Sequence, residues 1–361
     1  MSSGPVRVSV FGKTDLGRTR DHNEDTFLVA DLSSGQASLQ PEVRDHAIGP
    51  RGSLFMVADG MGGAAAGELA SQMAVDLVYR HLSSVWAVDP DNSQERFAFR
   101  MREALEKANQ QIHDYAKQHA EVRGMGTTAT VAGVYGTGLW LAQIGDSRGY
   151  LARDGEVIQL TKDQSLMQRL VDAGELTEEE AEQSERRNII LQALGPDPKV
   201  KVDLTYQPLR RGDTLVICSD GLSSQVRRDE IGDLLQDHTE LAAACTALID
   251  LANGRGGPDN ITVVIARFDG EGLAEAGDAS DVGYQEYEVP ESATHATDNF
   301  PPIGPLPKAE PAAPAENAEP ADPPPSAEPP KQGHLPLGLV VGIIAVGLLL
   351  LVARCGAGIT S

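Results

Sequence analysis

The sequence predicts an α+β domain whose strands and helices segregate into a sandwich, and three observations carry that expectation. The apolar runs are short and β-branched, several run continuously apolar in place of alternating, and two long helical stripes follow one another before a block of strands. Continuous runs suit strands buried on both faces, and blocks of like elements argue against the strict strand–helix alternation of a parallel sheet.

In chain order, residues 54–58 (LFMVA) form the first such run. Leu69, Met73, Leu77, Val78 and Leu82 then recur at helical spacing, as do Phe97, Met101, Leu105, Ala108, Ile112 and Tyr115. Both stripes read as core-facing helix surfaces. Residues 128–134 (TATVAGV), 139–144 (LWLAQI) and 214–218 (TLVIC) are strands by length and composition. A last stripe, Leu241, Cys245, Leu248 and Ala252, precedes the final strand at 261–266 (ITVVIA). No long Pro- or Ser-rich break interrupts residues 1–270, so they are expected to form one domain.

Beyond that point the composition changes. Thirteen of the 22 prolines fall between Pro290 and Pro330, among Ala, Glu and Asp, so residues 271–334 read as an extended disordered linker. Residues 335–353 (LPLGLVVGIIAVGLLLLVA) then carry no charge. At ~1.5 Å per residue such a helix spans about the hydrocarbon thickness of a bilayer, and a helix apolar all round has no core to join after a disordered linker. A single transmembrane helix is expected there, with residues 354–361 as a short tail. Residues 1–11 lack the charged and apolar regions of a secretory signal, so the large domain is expected on the cytoplasmic side of the inner membrane.

Acids outnumber bases 53 to 30, a formal charge of -23. That balance excludes nucleic acid as a partner, because phosphate binding needs a basic surface. Cys218, Cys245 and Cys355 show no paired spacing and fit a reducing compartment.

The chemistry is carried by what ends the buried strands. Residues 54–58 run into Asp59 and Gly60, 139–145 into Asp146, and 214–219 into Asp220, while Asp259 opens the last strand. One such Asp is ordinary turn chemistry. Four that a sandwich brings together would repel and raise each other's pKa unless cations hold them. With no Cys or His at ligand spacing the cation is hard and oxygen-loving, Mg2+ or Mn2+ in place of zinc. Upstream, Arg20 stands four residues before Glu24, and an Arg fork suits a phosphate. Paired divalent ions suit phosphoester hydrolysis.

Six motifs occur in order: RxxNED at 20–25, ADGMGG at 58–63, GTT at 126–128, GDSR at 145–148, SDGL at 219–222 and GxDNIT at 257–262. Together, over about residues 7–268, the sequence resembles the bacterial form of the protein phosphatase 2C family of metal-dependent serine/threonine phosphatases. The resemblance implies a four-layer αββα sandwich of two antiparallel sheets flanked by helices. It implies that Asp59 bridges two Mn2+ or Mg2+ ions, with Asp220 and Asp259 on the first and Glu24 and the Gly60 carbonyl on the second. Asp146 matches a ligand of a weaker third ion, and Arg20 matches the residue that holds the substrate phosphate. The implied reaction is in-line attack on phosphorus by a hydroxide bridging the ions. Implied partners are phosphorylated proteins, including membrane serine/threonine kinases, and the catalytic domain is expected to be monomeric.

The chain departs from the pattern in places. Ser224 stands where bacterial relatives usually have an Asp for the third ion. Asp163-Gln164-Ser165 lacks the His that many relatives carry after the Asp, and Ser184-Glu185 replaces a His-Pro pair. Both fall in or beside a flap at 162–188, where altered specificity is expected. Met61 occupies the place of a general-acid histidine in some eukaryotic members, and His22 is the nearest histidine in sequence, read as a surface loop residue. A second reading, a phosphoprotein-binding scaffold of poor turnover, rests on Ser224.

Overall fold

A computed structural model describes residues 4–294 apart from Glu185 and Asp278. The strands are β1 (Arg7–Asp15), β2 (Asp25–Asp31), β3 (Gln36–Ser38), β4 (Arg44–Ala47) and β5 (Ser53–Met61), followed by helices α1 (Ala64–Ser84) and α2 (Gln94–Gln118). Next come β6 (Gly126–Thr127), β7 (Ala129–Tyr135), β8 (Gly138–Ile144), β9 (Arg148–Arg153) and β10 (Glu156–Gln159). Two short helices, α3 (Leu166–Asp172) and α4 (Glu178–Glu182), lie in the flap. Then follow β11 (Asp203–Pro208), β12 (Thr214–Cys218), α5 (Asp220–Ser223), α6 (Arg228–Asp237), α7 (Leu241–Gly254) and β13 (Ile261–Asp269).

All strand pairs are antiparallel, in two sheets ordered β10-β9-β12-β13-β1-β4 and β11-β8-β7-β5-β2-β3, with β6 on β5. Period-2 geometry decides what each face buries. On the first sheet Val8, Val10, Leu215, Ile217, Val264 and Ala266 meet Phe27, Val29, Phe55 and Val57 of the second in a shared inter-sheet core. The opposite residues of β5 and β8, such as Met56 and Ala142, pack under α1 and α2. Val216, Cys218, Val263 and Ile265 pack under α6 and α7. The layers therefore run helix, sheet, sheet, helix, and each strand and helix expected between residues 54 and 266 lies where its apolar pattern requires. Cys218 and Cys245 are buried in the third of these cores and unbridged.

The helix ends follow local chemistry. Ser93 accepts from the Arg96 N–H to cap α2, a Ser at the position where its oxygen best serves an orphan donor. Gly63 precedes α1 at φ 91°, a left-handed backbone that glycine adopts without strain.

One boundary differs from the sequence expectation. The domain does not end at residue 270: a strap over residues 271–294 returns across its outer surface. The Arg211 N–H donates to the Ala274 carbonyl (2.8 Å), and Tyr206 and Tyr287 exchange backbone bonds with Gln285 and Leu204 at 3.1 and 2.8 Å, extending the edge of β11. Tyr287 packs on the rings of Tyr206 and Trp140, and the Arg96 guanidinium donates to the Ala293 carbonyl at 2.6 Å. These anchors are single residues in an acidic, proline-bearing stretch, so no periodic stripe announces them. No helix among the described residues is long and apolar enough to cross a membrane. The rest of the expected linker, the apolar run at 335–353 and the tail at 354–361 lie outside the described residues.

The strap is tied to the sheet by charge as well. Arg153, buried on β9, makes a two-pronged bond to buried Asp213 (2.8 and 2.7 Å) and reaches Asp281 of the strap at 2.7 Å. Removing one partner of such a pair leaves an uncompensated buried charge. Arg153→Met is expected to cost about 3–5 kcal/mol in urea denaturation, and a loss under 1 kcal/mol would show that the pair is not a structural tie.

Candidate metal centre

The polar rim of the molecule is a continuation of its inter-sheet core. Asp25 and Asp59 are direct cross-strand partners on β2 and β5. Both fall on the odd-numbered face that buries Phe27, Val29, Phe55 and Val57. Across the gap, Ser219 and Thr262 extend the inward faces of β12 and β13. Their hydroxyls each donate to Asp25 Oδ2 at 2.7 Å. Asp25 thus bolts one sheet to the other beneath the acids at the strand ends.

Above that bolt the predicted residues converge. Asp59 and Asp220 come close enough for each carboxyl to feel the other. Burial, then the charges of Asp25, Asp220, Asp146 and Asp259, push the Asp59 carboxyl well above the ordinary range. Burial and the Asp259 charge raise Asp220, and burial with the charges of Asp220 and Asp163 takes Asp146 up to about 8. Burial also raises Glu24, against the pull of Arg20. Asp25 moves upward for the same first reason, its two hydroxyl donors working in the other direction. Mutual elevation of this kind is what carboxylates at close range show when no cation separates them. Arg20, half-exposed, donates from Nη2 to Asp259 Oδ2 at 2.7 Å.

The backbone around the acids is cut to fit. A Cβ on Gly60 would fall on the Gly67 carbonyl and lie 2.6 Å from the Glu24 carbonyl, and one on Gly67 would fall on the Glu24 carboxylate. Glycine at both places lets the Glu24 side chain lie against the first turns of α1. Asn260 knits the loop between β1 and β2: it donates to the carbonyls of Leu16 and His22 (2.9 and 3.0 Å) and accepts from the Glu24 N–H at 2.9 Å. The Asp59 carbonyl is taken by Thr128 N–H (2.8 Å) and Thr127 Oγ1 (2.9 Å), which fixes the strand end that carries its carboxyl.

Oδ1 of Asp25, of Asp146 and of Asp220 are buried without a hydrogen-bond partner. Orphaned carboxylate oxygens are costly unless something positive meets them, and an all-oxygen donor set suits Mg2+ or Mn2+. The residues therefore fit a hard divalent cation. Among the described residues no three His, Cys, Asp or Glu side chains are already closed into a cage that could hold a metal ion, and Arg20 engages Asp259 instead. The acids share one rim in a geometry that charge neutralisation would tighten.

All of Arg20, Glu24, Asp59, Gly60, Asp146, Asp220 and Asp259 belong to this rim. Asp25 and Asn260 lie in the motifs at 20–25 and 257–262 without a role that sequence alone assigns; two consecutive acids at a strand start, facing opposite ways, are the available signal for Asp25. His22 is exposed. Ser224 ends α5, its N–H donating to the Asp220 carbonyl at 2.8 Å.

Known proteins match this chain in sequence and in fold. A sequence profile of the family described as Protein phosphatase 2C matches residues 37–258. The serine/threonine phosphatase stp of Listeria welshimeri is 38% identical over 254 residues, 70% of this chain and 93% of that protein. The crystal structure of the Mycobacterium tuberculosis serine/threonine phosphatase PstP/Ppp superposes with a TM-score of 0.61 at 36% identity, covering 73% of this chain and 99% of that one. A structure of the PstP catalytic domain in complex with two manganese ions gives 0.60 at 35% identity, covering 73% and 99%. Matches over most of both chains, joined to the six motifs on one rim, place this chain in the protein phosphatase 2C family.

Proposed function

We propose that the chain is a metal-dependent protein serine/threonine phosphatase that hydrolyses phosphoserine and phosphothreonine on proteins. The observation that carries this reading is the convergence of Asp59, Asp146, Asp220, Asp259 and Glu24 on one rim, with buried carboxylate oxygens left unpartnered and Arg20 at its mouth. The PstP structure with two manganese ions supports a two-ion site, and the family resemblance assigns it Asp59, Asp220, Asp259, Glu24 and the Gly60 carbonyl, with Asp146 toward a weaker third. Two Mn2+ or Mg2+ ions there supply Lewis acidity to a phosphoryl group and to an attacking water.

The chain's own groups do the rest. Arg20 offers a planar fork to two phosphate oxygens, and its hold on Asp259 keeps that fork over the rim. Burial and neighbouring acids favour the protonated forms of Asp59 and Asp220, and both must be anionic to act as ligands, so metal uptake is proton-linked. Asp25, through Ser219 and Thr262, holds the two sheets at a fixed separation, which sets the spacing of the acids they carry. The scaffold reading finds no support in the site: Ser224 serves a helix end, and the relatives described above are named phosphatases.

Full-length protein with Mn2+ is expected to hydrolyse p-nitrophenyl phosphate and a phosphothreonine peptide, and EDTA to abolish both. Turnover unaffected by EDTA would overturn the mechanism. The uncharged run at 335–353 supports a single-pass inner-membrane anchor, with the catalytic domain cytoplasmic and membrane serine/threonine kinases among its substrates. Expressed in cells, the full chain should sediment with membranes and a chain ending at residue 294 should not; equal partitioning would remove the anchor.

A further inference from the structure

At the base of the flap, one residue grips both backbone groups of Gly145 in the corner that carries Asp146, one through its own backbone N–H and the other through its side chain. The Gln164 N–H donates to the Gly145 carbonyl at 2.9 Å, and the Gly145 N–H donates to Gln164 Oε1 at 2.9 Å. The other end of the same amide, Nε2, donates to Asp203 Oδ2 on β11 at 2.9 Å. The Gln164 carbonyl accepts from Leu191 N–H at 2.8 Å, where the flap returns to the body. Four segments therefore meet on one residue: the Gly145–Asp146 corner, the stalk entering the flap, the stalk leaving it, and the edge of the second sheet.

The corner needs such a grip. Gly145 sits at φ 99°, packed so closely on Thr128 that a Cβ would lie 2.7 Å from its methyl carbon. A loop with no side chain of its own to anchor it takes its position from hydrogen bonds made by others. Next in the stalk, Asp163 receives a two-pronged bond from Arg148 of the same corner, the closest approach being 2.7 Å. Ser165 then caps α3 through the Gln168 N–H. The flap thus begins from a rigid base whose centre is Gln164.

We infer that Gln164 is a positioning residue: it locks the flap to the Gly145–Asp146 corner, so that the aim of the Asp146 carboxyl and the placement of the flap over the rim are one coupled variable. This rests on the reading of Asp146 as part of the catalytic rim, and the first readout below does not. Glutamine serves because its amide carries an acceptor and a donor side by side. A neutral histidine offers the same pair on its two ring nitrogens, which makes Gln164→His the conservative exchange and Gln164→Ala the disruptive one.

The test uses the full chain stripped of metal and exposed to trypsin, whose targets in the flap are the exposed Arg169, Arg186 and Arg187. Gln164→Ala should speed cleavage at these sites about fivefold or more, the effect of losing a hydrogen bond or two in a local opening equilibrium. Gln164→His should return it to the wild-type rate. Gln168→Ala, which removes an amide contact to Asp172 within the flap, should leave it within twofold. With Mn2+ present, Gln164→Ala should raise KM for a phosphothreonine peptide by a larger factor than it lowers kcat, and Gln164→His should restore KM. Cleavage no faster than in Gln168→Ala, or no rescue by histidine, overturns the inference. Because the proteolysis involves no turnover, that outcome is separable from any failure of the phosphatase reading.

Discussion

Asp59→Asn in the full chain with Mn2+ should lower kcat/KM for a phosphothreonine peptide at least about a thousandfold, the ~4 kcal/mol expected when Lewis-acid stabilisation of a phosphoryl transition state is lost. Asp59 stands at the centre of the rim: it is in register with Asp25 and feels the charges of Asp220, Asp146 and Asp259. The same substitution should have the opposite effect on the metal-free protein. A carboxyl that burial and four neighbouring acids push upward is one the fold holds charged only at a cost. Asparagine keeps the shape and removes the charge, so thermal unfolding in EDTA should move to higher temperature. Activity within tenfold of wild type would remove Asp59 from the centre. Lost activity with an unchanged or lowered metal-free Tm would mean that the acids do not crowd one another as described.

The second large effect is a reversal of pH dependence by metal. Asp59, Asp146 and Asp220 all have folded-state affinities for a proton above the ordinary aspartate value of 3.8, Asp146 reaching about 8. A carboxyl shifted this way favours the fold in its protonated form. Its contribution is complete below about pH 4 and is lost as pH rises through the folded value. In EDTA the domain should therefore lose stability on going from pH 5 to pH 8, by on the order of 2–4 kcal/mol. Glu103, held down to about 2 by its bonds to His81 and Arg100 against the cost of its burial, stays ionised across that window and does not mask the trend. With saturating Mn2+ the order should invert, because cations compete with protons for the same oxygens and bind more tightly as pH rises. Denaturant midpoints at three pH values, with and without Mn2+, decide it; a flat metal-free profile would sink the account.

Much of this was legible in the sequence because burial leaves a pattern. β5, β8, β12 and β13 are continuously apolar since each is covered on both faces, and α1, α2 and α7 show stripes because each has one covered face. The acids were legible because each follows such a run directly. What stayed hidden depends on pairing over long distance. β1 lies against β13, some 250 residues away, with Arg7 opposite Asp269, and nothing local announces that register. Asp25 escaped notice because its role appears only when Ser219 and Thr262 arrive from the other sheet. In the sequence Gln164 is a departure from a family pattern, and its grip on Gly145 exists only in three dimensions. The strap is indistinguishable from linker in the sequence because Asp281, Tyr287 and Ala293 hold it one residue at a time.

Cys218 ends the strand that leads directly into Ser219 and Asp220, and Cys245 lies beneath it on α7. Burial raises both thiols, Cys218 to about 12. A thiol reacts with peroxides and alkylating agents as the thiolate, and burial disfavours that form at both residues. Among the described residues, the strand that leads into Asp220 thus carries a thiol shielded by the core beneath α7, unlike the exposed, activated thiolate that an enzyme with a cysteine nucleophile needs.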